Sequence, residues 1–171
     1  MVAHFLDMIL ASFHDIGVPQ DDANLEAAKN LMDNVFLPLL IGCGCKDNFR
    51  DRSGFATVKE YFAEMKEICS GIYRDILFYL KRLSFHQEIV PYENALCGYL
   101  DFLFPLLKEF KKLPFMPKGP IYLLIDDADY LSDVQTMILN SWVSTRTSSV
   151  VSIKISTQHQ YKTYFTVTGN T

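Results

Sequence analysis

The chain has 171 residues, a length that suits one domain, or one domain with a piece of another. Apolar residues make up 49%, aromatics 13% and charged residues 21%, which supplies a packed core and excludes a disordered chain. A net charge of −4 excludes a broad basic footprint for nucleic acid and leaves room only for a local patch.

The first element is a helix in which Val2, Phe5, Leu6, Ile9, Leu10, Phe13 and Ile16 form one apolar stripe ending at Gly17. His4 and Asp7 stand where a signal peptide would carry a basic flank, so secretion is not expected and the location reads as cytoplasmic. A second helix runs from about Asp21, with Asp21 and Asp22 at its positive end, to Leu37. Pro38 and Gly42-Cys43-Gly44-Cys45 are expected to end it. A third, longer pattern joins Phe55, Val58, Phe62, Met65, Cys69, Ile72, Ile76, Leu80 and Leu83, with Ser70-Gly71 as a candidate kink. The fourth helix, roughly Tyr92 to Lys112, is apolar on nearly every side, and Pro105 should bend or break it. The apolar stretches Val35–Cys45 and Ala95–Leu107 both fall short of the roughly 20 residues that span a membrane.

At Lys118-Gly119-Pro120 the character changes. Of the 52 residues from Pro120 onward, 15 are Ser or Thr and none is Glu, and the apolar spacing becomes that of strands. Strands are expected at 121–126, 150–157 and 161–168, with a helix at about 133–146 opened by the capping box Ser132-Asp133-Val134-Gln135. The expected fold is thus mixed α/β and α-dominated: a bundle of about four helices over 1–119, then a small, partly parallel β-α-β sheet over 120–171.

The chemistry gathers where the first strand ends. Ile121 to Ile125 run straight into Asp126 and Asp127, and the carboxyl end of a strand in an open α/β sheet is where ligands bind. In a magnesium–nucleotide site the first acid would organise Mg²⁺ through its water shell and the second would orient the attacking water. A plainer reading has the acids begin a turn and cap local amides. On the second strand, Val151, Ile153 and Ile155 alternate with polar residues, and Thr157 and Gln158 close it within reach of a phosphate or the water.

Other constellations fit less well. A phosphate loop needs G-x-x-x-x-G-K-[ST], and the nearest approach, Gly42-Cys43-Gly44-Cys45-Lys46-Asp47, has one residue between its glycines and Asp47 at the hydroxyl position. Zinc held by Cys43, Cys45, Cys69 and Cys97 lacks paired spacing, so free thiols are expected. A phosphatase-like Asp127-Ala128-Asp129 has Leu131 where Thr or Val is wanted. His4, His14, His86 and His159 show no metal spacing.

The stretch Ile121–Thr168, "IYLLIDDADYL…" through "…IKISTQ" and "YKTYFTVTG", resembles the Walker B to sensor-1 region of AAA+-type P-loop ATPases. It is most similar to bacterial ATPases grouped with the origin-recognition-complex and Cdc-six-like clade. The resemblance implies that Asp126 and Asp127 are the Walker B acids, Asp126 toward Mg²⁺ and Asp127 toward catalysis. It also implies that Thr157 or Gln158 approximates the sensor position, and that Mg²⁺ and ATP bind only in a completed domain. Because no Walker A motif precedes these residues, the chain reads as a fragment of an ATPase domain, inactive alone. It would be completed by self-association or by a partner that supplies the Walker A strand. Arg146 is a weaker candidate for reaching a neighbouring subunit's nucleotide. The rival reading, from a different class, is a non-catalytic helical interaction module or a degenerate, split ATPase subunit.

Overall fold

Two prolines shape the helical part of the computed structural model, which describes residues 8, 11, 19–46, 54–85, 91–145, 148–158 and 161–169. The chain divides into two compact units, Met1–Met116 and Pro117–Thr171. In unit 1, α1 (Asp22–Leu31) opens with the Asp21 carboxylate accepting from the Asn24 amide at 2.8 Å, a side-chain cap for an otherwise unbonded N–H. It passes through a π-helical turn, Met32–Phe36, into α2 (Leu37–Gly42). The same device recurs where the π turn Tyr99–Leu103 leads into α4 (Phe104–Phe110). In both places proline is the second residue after the wide turn, Pro38 and Pro105. A proline ring clashes with the carbonyl four residues back. The wider turn moves that carbonyl aside, and the amides of Leu37 and Phe104 bond five residues back to Met32 and Tyr99. The helix expected to stop at Pro38 therefore continues to Gly42.

Between them lies α3 (Val58–Phe85), uninterrupted at Ser70-Gly71. Its expected apolar stripe is buried from Val58 to Ile72, while Leu77, Phe78, Leu80 and Phe85 beyond it are exposed. The expected fourth helix begins only at Tyr99, because residues 91–98 run without helix. The core of unit 1 is aromatic: Phe36 meets Phe102 edge-on at 6.0 Å, and Phe62 stacks on Phe110 at 5.8 Å. Phe36, Phe62, Phe102, Leu106 and Phe110 are fully buried there.

Unit 2 is built on β1 (Ile121–Ile125), α5 (Asp133–Ser144) and β2 (Val151–Ile155). β1 and β2 pair in parallel, with Ile121 opposite Val151 and Ile125 opposite Ile155. The capping box is formed in both directions, Gln135 N to Ser132 Oγ and Ser132 N to Gln135 Oε1. The chain is α-dominated and mixed α/β, as its sequence indicates. The expected strand at 161–168 is not one. That segment is held on α5 by side chains: Asn140 Nδ2 donates to the Thr163 and Phe165 carbonyls, Tyr161 donates to Asn140 Oδ1, and Val167 N donates to Ser141 Oγ. With its carbonyls taken by a helix side chain, the segment has no reason to join the ladder. Of the expected helix over 2–16 only Met8 and Ala11 are described, both helical, and Arg146 and the four histidines lie outside the described residues.

Candidate functional site

The carboxyl ends of β1 and β2 bring the sequence-selected acids together. Parallel pairing in register puts both strand ends on one edge, so the residues that follow Ile125 meet those that follow Ile155. The Ser156 hydroxyl donates to Asp126 Oδ1, and the Asp127 amide donates to the same oxygen at 3.0 Å. Oδ2 of Asp126 accepts no hydrogen bond among the described residues. These hydrogen bonds, that of Ser156 first, hold the exposed Asp126 carboxyl below its ordinary pKa, so it is an anion at neutral pH.

Asp127 is the one non-glycine residue among those described with a left-handed backbone, φ 50° and ψ 45°. Asp and Asn tolerate this region better than most residues, and such strain concentrates at functional positions. The turn is pinned by the Ala128 amide, which donates to the Ser156 carbonyl at 3.0 Å, and continues as the single 3-10 turn Ala128–Tyr130. Gln158 closes the group from the second strand: its Nε2 donates to Asp127 Oδ1 at 2.8 Å and its backbone amide to Asp129 Oδ1 at 3.4 Å.

Asp126, Asp127 and Gln158 thus share one cluster. Thr157, between two residues that touch the acids, is exposed and makes no hydrogen bond among the described residues. Ser156 was not singled out from the sequence. The available signal was the ladder itself: in a parallel pair ending at Ile125 and Ile155, the residue after Ile155 lies beside Asp126.

The Gly42–Lys46 stretch is a helix C-terminus. The Cys43 amide bonds to the Leu39 and Leu40 carbonyls, Gly44 N to Ile41 O and Cys45 N to Leu40 O. Amides already engaged on helix carbonyls, at the negative end of the dipole, do not cradle a phosphate. Among the described residues no group of three or more His, Cys, Asp or Glu is placed to hold a metal ion. Burial pushes the Cys43 and Cys97 thiols above their ordinary value.

These features are those of a β-α-β unit with acids gathered at the carboxyl edge of a parallel sheet. The family model described as ORC-CDC6-like matches residues 1–171, and the chain belongs to the ORC-CDC6-like family, which is related to the AAA+ ATPases. No curated protein and no solved structure matches the chain. Among the described residues, no helix is long and apolar enough to cross a membrane.

Proposed function

We infer that residues 117–171 supply the Walker B and sensor-like end of an AAA+-type ATPase site, active once a phosphate loop completes it. The observation that carries this reading is the parallel register of β1 and β2, with Ser156 bonded to Asp126 and Gln158 to Asp127. The residues fit a hydrated magnesium–nucleotide. Asp126 is ionised, has one carboxylate oxygen that no described residue engages, and is exposed, which suits contact through water.

When bound, Mg-ATP would bring the divalent charge that neutralises the phosphates and the γ-phosphoryl group to be transferred. Asp126 would hold the ion's water shell, with Ser156 and the Asp127 amide fixing its carboxylate. Asp127 would accept a hydrogen bond from the attacking water through Oδ2 and orient it, while Gln158 holds Oδ1. Thr157, exposed beside Gln158, remains a sensor candidate that would engage only with nucleotide present. The phosphate loop would come from self-association or from a partner bearing the missing strand. The outward backbone groups of Val151, Ile153 and Ile155 offer that strand an edge.

Titrating the full chain with Mn²⁺, a paramagnetic stand-in for Mg²⁺, tests the metal end of this reading. Amide signals of Asp126, Asp127 and Gln158 should broaden first, and Asp126→Asn should abolish the selectivity. Broadening spread evenly over the chain's acidic residues would refute it.

A further inference from the structure

The cysteines of unit 1 gather at one corner, and two of them touch. Cys43 follows the last residue of α2, where its amide is fixed on the Leu39 and Leu40 carbonyls. Cys97 lies just before the π turn Tyr99–Leu103 that leads into α4. A backbone bond joins the two segments directly, the Leu96 amide donating to the Cys43 carbonyl at 3.0 Å. The side chains complete the junction. The Cys97 thiol donates to the Cys43 sulfur, and the Gly98 amide donates to that same sulfur. Both cysteines are free thiols and half-buried.

The other two cysteines are placed differently. Cys69 is 2% exposed in the middle of α3, closed to a reagent from solvent. Cys45 follows Gly44, whose left-handed backbone, φ 91°, turns the chain between it and Cys43. A disulfide has a short reach, so it forms between segments whose backbones already lie side by side. Cys43 and Cys97 meet that condition. The two hydrogen bonds received by the Cys43 sulfur favour its thiolate and mark it as the attacking group. Burial, then the Asp101 charge, outweighs them and keeps the thiol above its ordinary value, and burial does the same to Cys97. The pair therefore rests as two thiols at neutral pH until an oxidant is supplied.

We propose that Cys43 and Cys97 form a reversible dithiol–disulfide pair, closed by a low-molecular-weight disulfide of the glutathione type, that staples the end of α2 to the start of the π turn before α4. Cys43 loses its proton to water and attacks one sulfur of the reagent, expelling a thiolate that takes up a proton. Cys97 then loses its proton and attacks the Cys43 sulfur of the mixed disulfide, expelling the second thiolate. Two protein thiols are oxidised to one disulfide, and the reagent is reduced to two thiols. The ring so closed encloses all of α3, so it restricts the unfolded chain strongly.

The test treats the full, reduced chain with excess oxidised glutathione under native conditions and caps the remaining thiols with N-ethylmaleimide. Capped thiols should fall from four to two. A non-reduced tryptic digest should contain residues 30–46 joined to residues 83–108, with fragmentation placing the bond at Cys43. Cys97→Ser should stop at a glutathione adduct on Cys43, and Cys45→Ser should leave the bridge intact. The oxidised chain should melt about 10 °C higher by circular dichroism, and dithiothreitol should reverse the rise. Four thiols still capped, a bridge through Cys45 or Cys69, a bridge between two chains, or an unraised midpoint would overturn the proposal. Should Cys97→Ser fail to fold, the peptide map of the unaltered chain decides alone.

Discussion

Asn140→Leu isolates what holds residues 161–168 in place. Asn140 makes three hydrogen bonds to that segment, at 2.9, 2.8 and 2.8 Å. At a net worth of about 1 kcal/mol each, they sum to about 3 kcal/mol. Two effects reduce the loss. The Phe165 bond lies at the surface, where water replaces it, and leucine suits a helix better than asparagine by a few tenths of a kcal/mol. The expected net cost is about 2 kcal/mol, carried by unit 2 alone. Trp142 is the chain's one tryptophan, is 8% exposed and sits in α5, so its fluorescence reports that unit. With a urea slope of about 1 kcal/mol per molar for so small a unit, the unfolding midpoint should fall by about 2 M. A shift below about 0.5 M would show that the segment is held by something other than Asn140.

Ser132→Ala should remove the cap of α5 and lower the same Trp142 midpoint by about 1 kcal/mol equivalent, with Gln135→Ala costing less. Gly71→Ala should stabilise α3 by about 0.5–1 kcal/mol, read as a rise in the helical melting midpoint by circular dichroism. Asp126 has a folded pKa below its ordinary 3.8, so its contribution to stability is present above that value and is lost as pH falls through the folded pKa. Ser156→Ala should move the carboxyl ¹³C titration of Asp126 upward toward 3.8, and an unmoved titration would remove Ser156 from the site.

Periodicity made most of the fold legible. The stripe from Val58 to Ile72, the capping box and the parallel β-α-β unit all follow from local spacing. Three features are hidden from the sequence, one by a local change of helix type and two by partners far along the chain. Pro38 is read as a helix end and Pro105 as a bend or break because a proline in a regular α-helix clashes, and the π turns that relieve the clash leave no residue pattern. Residues 161–168 alternate like a strand, yet Asn140 of α5 takes their carbonyls. Ser156 was masked by its more conspicuous neighbours Thr157 and Gln158, since which residue touches Asp126 depends on register. The acids themselves were visible because an apolar run ending in two carboxylates is a local signal.

The central claim is that Asp127 orients water in a site whose phosphate loop lies elsewhere. Its most direct test is ATP turnover by the full chain supplied with a strand–G-x-x-x-x-G-K-[ST]–helix segment, measured as phosphate release beside calorimetric Mg-ATP binding. Alone, the chain should bind Mg-ATP at millimolar strength or weaker, about −4 kcal/mol, because loop amides and their lysine supply most phosphate affinity. With the segment, hydrolysis should appear, and Asp127→Asn should abolish it while binding and fold survive, since asparagine also accepts the left-handed backbone. Undiminished hydrolysis by Asp127→Asn, or micromolar Mg-ATP binding by the chain alone, would contradict the account.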